Sequence, residues 1–158
     1  MMNLKKLLKT PLQNPLSNRV KLPFFIISLI GFIDATYLTV EHFLNRVPPC
    51  TVSGCEIVLT SPYSSILGIP VALLGSLYYL TLIVLFIVHF DIKKEIYLQL
   101  AFNLTVFGFL FSVYFFILQA FVIHAFCQYC LLSGAISTIL FVISFFIIKK
   151  HKKYCDSL

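Results

Sequence analysis

The chain has 158 residues, of which 59% are hydrophobic and 11% are charged, and its formal net charge at pH 7 is +6. A soluble domain of this size cannot bury so much apolar surface, so the composition excludes an ordinary soluble protein and predicts an integral membrane protein. The positive charge does not indicate a nucleic-acid partner, because the basic residues are spread over two tails and one short loop.

Four long apolar segments follow one another along the chain. Each is longer than the roughly 20 residues that a helix needs to cross the hydrocarbon core, and each is continuously apolar, which favours helices over a barrel. The segments are residues 22–44, 67–90, 96–123 and 126–148. We expect an all-α membrane protein with a four-transmembrane-helix bundle over residues 22–148, between a basic tail of residues 1–21 and another of residues 149–158.

The basic residues predict the orientation of this bundle. Eleven of the twelve Lys and Arg residues lie in the two tails or between the second and third segments, and Arg46 is the exception. By the positive-inside rule, these regions and both termini are cytoplasmic. The loop between the first two segments and the turn before the fourth then face outward. We expect a multi-pass protein of the cell (cytoplasmic or inner) membrane.

Four of the five cysteines form two closely spaced pairs on the predicted outer face, Cys50 with Cys55 and Cys127 with Cys130. Cys155 stands alone in the cytoplasmic tail. An even number outside and an odd one inside fits an oxidising exterior and a reducing cytosol, so we interpret Cys155 as a bystander thiol.

The second pair opens the fourth segment. Residues three apart share a helix face with Cβ atoms about 5–6 Å apart, which is near the range for a disulfide, and a cysteine at a helix N-terminus has a lowered pKa. Cys130 lies one turn deeper, so we expect Cys127 to face outward and Cys130 to face the bundle. Leu131 excludes c-type haem attachment, which needs His at that position.

The loop pair has four residues between its cysteines, with Gly54 to bend the chain, and this exposed arrangement suits exchange with a soluble protein thiol. Three interpretations of the four cysteines are open: a structural disulfide framework, a zinc site of four thiolates, and a redox relay. A membrane helix start is an uncommon setting for a zinc site. We expect the relay and no metal.

The sequence around the cysteines resembles a known family. The loop pair is followed by Ser61-Pro-Tyr and by Gly68-Ile-Pro70, and the fourth segment opens with the C-x-x-C motif. This combination resembles bacterial homologues of vitamin K epoxide reductase over about residues 31–148. Disulfide-generating membrane proteins of the DsbB type carry their C-x-x-C in the first outer loop, so the order of motifs here argues against them.

The resemblance implies a bundle around a quinone of the ubiquinone or menaquinone type. In that family pattern, Cys130 faces the quinone, Cys127 exchanges with Cys50, and Cys55 pairs with Cys50 to oxidise a thioredoxin-like or DsbA-like partner outside the cytoplasm. The hydroxyl of Ser61 is placed to bond a quinone carbonyl.

Two departures from the family pattern bear on the function. Many members carry a fused thioredoxin-like domain after the fourth helix, whereas this sequence ends at Leu158, so we expect the partner to be a separate protein. Animal members place Tyr where this chain has Gly134, which weakens the case for epoxide reduction. The alternatives to a quinone-dependent protein-dithiol oxidoreductase are a vitamin K epoxide or quinone reductase proper, and a structural or metal-binding membrane subunit.

Four further residues in or beside the apolar segments are candidates for a role. Phe111 and Tyr114 are the best placed aromatic residues for a quinone tail, although Phe is abundant on any lipid-facing helix. Asp34 lies in the middle of the first segment, where an ionisable group is costly and often functional; we expect it to reach a polar partner such as Asn103. His124 either assists a thiolate or proton transfer, or is an interfacial residue without a role.

Overall fold

The computed structural model describes residues 18–51, 54–92 and 95–155. Its elements in chain order are α1 (Asn18–Phe43), α2 (Cys55–Leu59), a 3₁₀ turn (Pro62–Ser64), β1 (Ser65–Ile66), β2 (Ile69–Pro70), α3 (Val71–Ile92), α4 (Glu95–Ile117), a π-helical turn (Leu118–Ile123) and α5 (Gln128–Cys155).

Four helices in the described part of the chain are long and apolar enough to cross a membrane. The qualifying stretches are Leu22–Phe43, Val71–His89, Gln99–Ile123 and Gln128–Lys149. The predicted all-α membrane bundle is thereby confirmed. Residues 1–17 of the predicted first tail lie outside the described residues, as do Lys93 and Lys94. Helix α5 continues into the predicted second tail as far as Cys155.

The second apolar segment begins as a hairpin, and its helix starts only at Val71. Ser65 pairs with Pro70 and Ile66 pairs with Ile69 in an antiparallel register. The two residues between the strands, Leu67 and Gly68, both have positive φ, at 53° and 80°, as a tight hairpin turn requires. Apolar character alone does not distinguish such a turn from the first turn of a membrane helix.

A reversal of the chain separates the third and fourth spanning helices. Helix α4 passes into the π-helical turn, which ends at His124 in a left-handed conformation with φ 54°. Shortly afterwards, α5 begins at Gln128. The short connection makes the two helices antiparallel neighbours and sets Cys127 directly before the first residue of α5.

The four long helices form a ring in which α1 contacts α3 and α5, and α4 contacts the same two helices. One end of the bundle is where α1 ends and α5 begins. The packed core lies away from that end, and it includes Leu82, Leu140 and the stacked rings of Phe24 and Phe86. We call the end where α5 begins the loop end. At the loop end the interior of the bundle holds a cavity that is lined by side chains from all four long helices.

Candidate active site

A cavity of about 710 Å³ occupies the loop end of the bundle. It is lined by all four long helices, by α2 and by the hairpin region. Most of its wall is apolar. The polar side chains in the wall include Asp34, Ser61, Gln119, Cys130 and Ser133. A volume between about 300 and 1,000 Å³ with a few polar groups is typical of a site for a small organic ligand.

Cys127 is the N-cap residue of α5. Its sulfur accepts a hydrogen bond from the backbone N–H of Cys130 at 3.4 Å. Its own backbone N–H donates to the Gln119 side-chain oxygen at 3.0 Å, and the Gln119 carbonyl accepts from the N–H of Ala125 at 3.2 Å. Gln119 therefore holds both ends of the short link between the π-helical turn and α5.

The two sulfurs of the C-x-x-C motif face different surroundings. Cys130 contributes to the cavity wall. Cys127 is fully buried and packs with Cys55, Val58 and Ala125, with Cys50 at the edge of the same cluster. One dithiol thus lies between the cavity and the loop cysteines.

The surroundings of Cys127 lower its pKa to about 7. The largest cause is a hydrogen bond from the thiol of Cys130, and the backbone N–H groups of Cys130 and Tyr129 act in the same direction. Burial and the nearby carboxyl of Asp34 oppose them. Since the thiolate is the nucleophile in thiol–disulfide exchange, this arrangement gives Cys127 a large reactive fraction near neutral pH.

We therefore expect alkylation of Cys127 to rise with pH around a midpoint near 7, because the thiolate forms above the lowered pKa. Replacing Cys130 by Ala removes the thiol donor and moves the midpoint to higher pH, toward the ordinary value of about 8.5. Cys130→Ser keeps a donor and shifts it less. Mass spectrometry of the Cys127 peptide, with the loop disulfide intact, measures each rate. An unchanged or lower midpoint in the Ala variant contradicts the assignment.

The loop cysteines form a disulfide with their Cα atoms 6.3 Å apart. Gly54 has φ 119°, and a Cβ atom there would lie 3.1 Å from the Cβ of Ala125 and 3.3 Å from the N of Phe126. This close approach requires glycine, and it lays the loop against the chain just before Cys127. Cys55 is only 2% exposed, while Cys50 is more exposed.

The residues expected to contact a quinone are placed differently from one another. Ser61 and Phe111 both line the cavity. The Ser61 hydroxyl donates to the carbonyl of Val58 at 2.7 Å, which leaves its oxygen as an acceptor. Tyr114 lies outside the large cavity, in a small neighbouring pocket, with its ring edge-on to Phe115. The helix turn that carries Phe111 and Phe115 into the cavity wall directs Tyr114 elsewhere.

Asp34 and His124 are the remaining candidates from the sequence. Asp34 is buried in the cavity wall, and its Oδ2 atom has no hydrogen-bond partner among the described residues. The expected bond to Asn103 is not seen, since Asn103 is exposed and accepts a hydrogen bond from Gln99. His124 is exposed at the reversal before α5, where it caps the π-helical turn.

Within the described residues, no group of three or more His, Cys, Asp and Glu side chains forms a candidate metal site. With Cys50 and Cys55 joined to each other, their sulfurs are not thiolates, so the four-thiolate interpretation does not apply to this redox state.

Sequence reasoning missed three residues of the site. Gln119, Gln128 and Tyr129 all bind the chain around the cysteines through side-chain hydrogen bonds. Only Gln119 could have been identified from the sequence, because a side-chain amide near the end of an apolar membrane segment needs a hydrogen-bond partner. Gln128 and Tyr129 occupy the two middle positions of the C-x-x-C motif, which the motif leaves open.

Comparison with known proteins gives the family of the chain. The model of the vitamin K epoxide reductase family matches residues 22–145, which include the first three spanning stretches, most of the fourth, and both cysteine pairs. No curated protein matches the chain significantly. With this match over most of its length, the chain belongs to the vitamin K epoxide reductase family and is a multi-pass membrane oxidoreductase.

Proposed function

We propose that the protein oxidises the dithiol of a separate thioredoxin-like or DsbA-like protein and passes the electrons to a membrane quinone. The observation that supports this most is the position of one dithiol between two sites. Cys127 is buried against the loop disulfide, and Cys130 lines an apolar cavity within the membrane span. The product of this activity is the capacity to form disulfide bonds outside the cytoplasm.

The first step takes place at the loop disulfide. A thiolate of the partner attacks one sulfur of the Cys50–Cys55 bond, and the other leaves as a thiolate. Cys50 is the sulfur that a soluble protein reaches, because Cys55 is almost fully buried. The second thiol of the partner then releases the mixed disulfide, and the loop pair becomes a dithiol while the partner is oxidised.

The second step transfers the oxidation between the two cysteine pairs. A loop thiolate attacks Cys127 of an oxidised Cys127–Cys130 bond, Cys130 leaves, and the other loop thiol closes the loop disulfide. The family resemblance assigns the attack to Cys50, whereas the burial of Cys55 beside Cys127 favours Cys55. The step ends in the state described above, with a loop disulfide and two free thiols on α5.

The third step reoxidises that dithiol. The Cys127 and Cys130 thiols would become a disulfide and give up two electrons and two protons, which a membrane quinone bound in the cavity would accept. The cavity suits such a substrate, because its wall is apolar and includes Cys130. The Ser61 hydroxyl lies in the same wall and donates to the Val58 carbonyl, so it has to turn away from Val58 before it can donate to a quinone carbonyl. Gly134 lies in the same wall, so the departure from animal members falls within the proposed ligand site.

The proposed location follows from the charges. Helix α1 begins and helix α5 ends among basic residues, at the end of the bundle opposite to the loop end, and the positive-inside rule makes that side cytoplasmic. The cysteine pairs then face the extracytoplasmic side, where protein disulfides are formed.

Capture of the partner tests the first step. In a Cys55→Ser protein, the Cys50 thiolate attacks the disulfide of an oxidised thioredoxin-like protein, and the second cysteine of that protein leaves as a thiolate. We expect acid quenching and alkylation to preserve the resulting mixed disulfide. Cys50→Ser is the matched variant, and we expect it to capture much less, since the remaining thiol is buried. Non-reducing electrophoresis followed by mass spectrometry identifies the attached protein. Capture by neither variant, or capture at Cys155, contradicts the proposed entry point.

A further inference from the structure

The two middle residues of the C-x-x-C motif bind the chain on both sides of Cys50. The side-chain oxygen of Gln128 accepts hydrogen bonds from the Thr51 backbone N–H at 3.1 Å and from the Thr51 hydroxyl at 2.6 Å. The Tyr129 hydroxyl donates to the carbonyl of Pro49 at 2.9 Å. The residue before Cys50 and the residue after it are therefore both tied to the first turn of α5.

We propose that Gln128 and Tyr129 are positioning residues that hold the loop cysteines against Cys127 for disulfide exchange. This inference rests on the proposed relay between the two cysteine pairs. The two middle residues of the C-x-x-C motif then set the distance between the loop cysteines and Cys127. They do not tune the reactivity of either cysteine pair.

The hydrogen bonds of Gln128 and Tyr129 matter because the loop loses its disulfide during the redox cycle. When the partner reduces the loop disulfide, the covalent link between Cys50 and Cys55 is lost. Cys50 lies between α1 and α2 in chain without regular secondary structure, so its thiol then depends on non-covalent contacts to stay near α5. Holding two reacting groups in place makes their exchange far faster than free encounter does.

Helix α1 holds the Tyr129 side chain in place. The Tyr129 ring lies against the ring of Tyr37 on α1, with centroids 5.7 Å apart. The phenol oxygen reaches Pro49 while the ring stays packed between helices. The tie is therefore anchored to two membrane helices. Tyr129→Phe keeps the ring and removes the hydroxyl, with both its hydrogen bond to Pro49 and its interaction with the Tyr37 side chain.

The exchange can be isolated from the rest of the cycle in a Cys130→Ser background. There the Cys127 thiolate attacks the loop disulfide, forming one new S–S bond and releasing one loop thiolate, and the hydroxyl introduced by Cys130→Ser cannot resolve the product. Acid quenching, alkylation of the free loop thiol and peptide mapping measure the rate. The mapping also shows whether Cys50 or Cys55 is joined to Cys127.

In this background we expect Tyr129→Phe to slow the exchange about threefold to tenfold, and Gln128→Met with Tyr129→Phe to slow it about tenfold to a hundredfold, given the usual strength of a hydrogen bond. Tyr97→Phe, which removes a phenol oxygen near the start of α4, is the matched control and keeps the wild-type rate. With Cys130 restored, oxidation of the Cys127–Cys130 dithiol by a water-soluble quinone is unchanged in all three proteins.

Two results overturn the inference. One is wild-type exchange in the double variant. The other is an equal loss of exchange and of dithiol oxidation by quinone, which indicates a general structural defect. Failure of the proposed function looks different, because the wild-type protein itself then shows no quinone-dependent oxidation of its Cys127–Cys130 dithiol.

Discussion

Replacing Cys130 by Ala abolishes quinone-dependent oxidation of a reduced thioredoxin-like protein. Cys130 is the cysteine that lines the cavity, and its thiol forms a hydrogen bond with the sulfur of Cys127. Without its sulfur, the α5 dithiol cannot close into a disulfide, so no oxidation returns to the loop. Turnover measured as quinol formation falls to the level of a sample without protein.

The control for this result is Cys155→Ala. Cys155 lies at the far end of α5 from the cavity, so its removal leaves turnover unchanged. The Cys130→Ala protein retains one chemical ability, since its loop disulfide still oxidises a single equivalent of partner. Repeated turnover by the Cys130→Ala protein contradicts the relay.

Replacing Gly134 by Leu closes part of the cavity and weakens the use of quinone. A Cβ atom at this position has room, since the nearest atom it would meet is the Ser112 Cβ at 3.7 Å, but the rest of a Leu side chain enters the space that the quinone is proposed to occupy. A misfit of about one methylene in a hydrophobic pocket costs about 1–3 kcal/mol of transition-state binding, which corresponds to a fall in kcat/KM for quinone of about 5- to 150-fold.

Two comparisons make the Gly134→Leu result specific. Leu132→Phe adds bulk on the exposed face of α5 outside the described cavity wall, and it leaves kcat/KM unchanged. The loop-to-Cys127 exchange, measured in the Cys130→Ser background, is also unchanged by Gly134→Leu. A normal kcat/KM for quinone in Gly134→Leu contradicts the proposed location of the quinone.

Hydropathy and charge were sufficient to predict the membrane bundle, because a helix in lipid must satisfy its own backbone over a fixed length. They were not sufficient at Leu67, which is apolar yet 98% exposed at the tip of the hairpin. The left-handed conformations of Leu67 and Gly68 depend on strand pairing between Ser65 and Pro70, which leaves no mark in an apolar count.

The candidate site also combines features that the sequence predicts with contacts that it does not predict. The place of the C-x-x-C motif at a helix start predicts the lowered pKa of Cys127. The backbone N–H groups of Cys130 and Tyr129 act in that direction, although the largest cause is the hydrogen bond from the Cys130 thiol, which the helix-start argument did not include. The contacts of Gln128 with Thr51 and of Tyr129 with Pro49 join residues far apart in the sequence. Such contacts depend on how the loop folds back over α5, and no local pattern predicts them.

The stoichiometry of the complete reaction tests the central claim most directly. Purified protein in vesicles that contain a membrane quinone is supplied with a reduced thioredoxin-like protein, and quinol and partner disulfide are measured together. The account predicts equal amounts of the two products, formed only while both cysteine pairs are present. Partner oxidation without quinol formation, or equal yields from a Cys127→Ala protein, contradicts it.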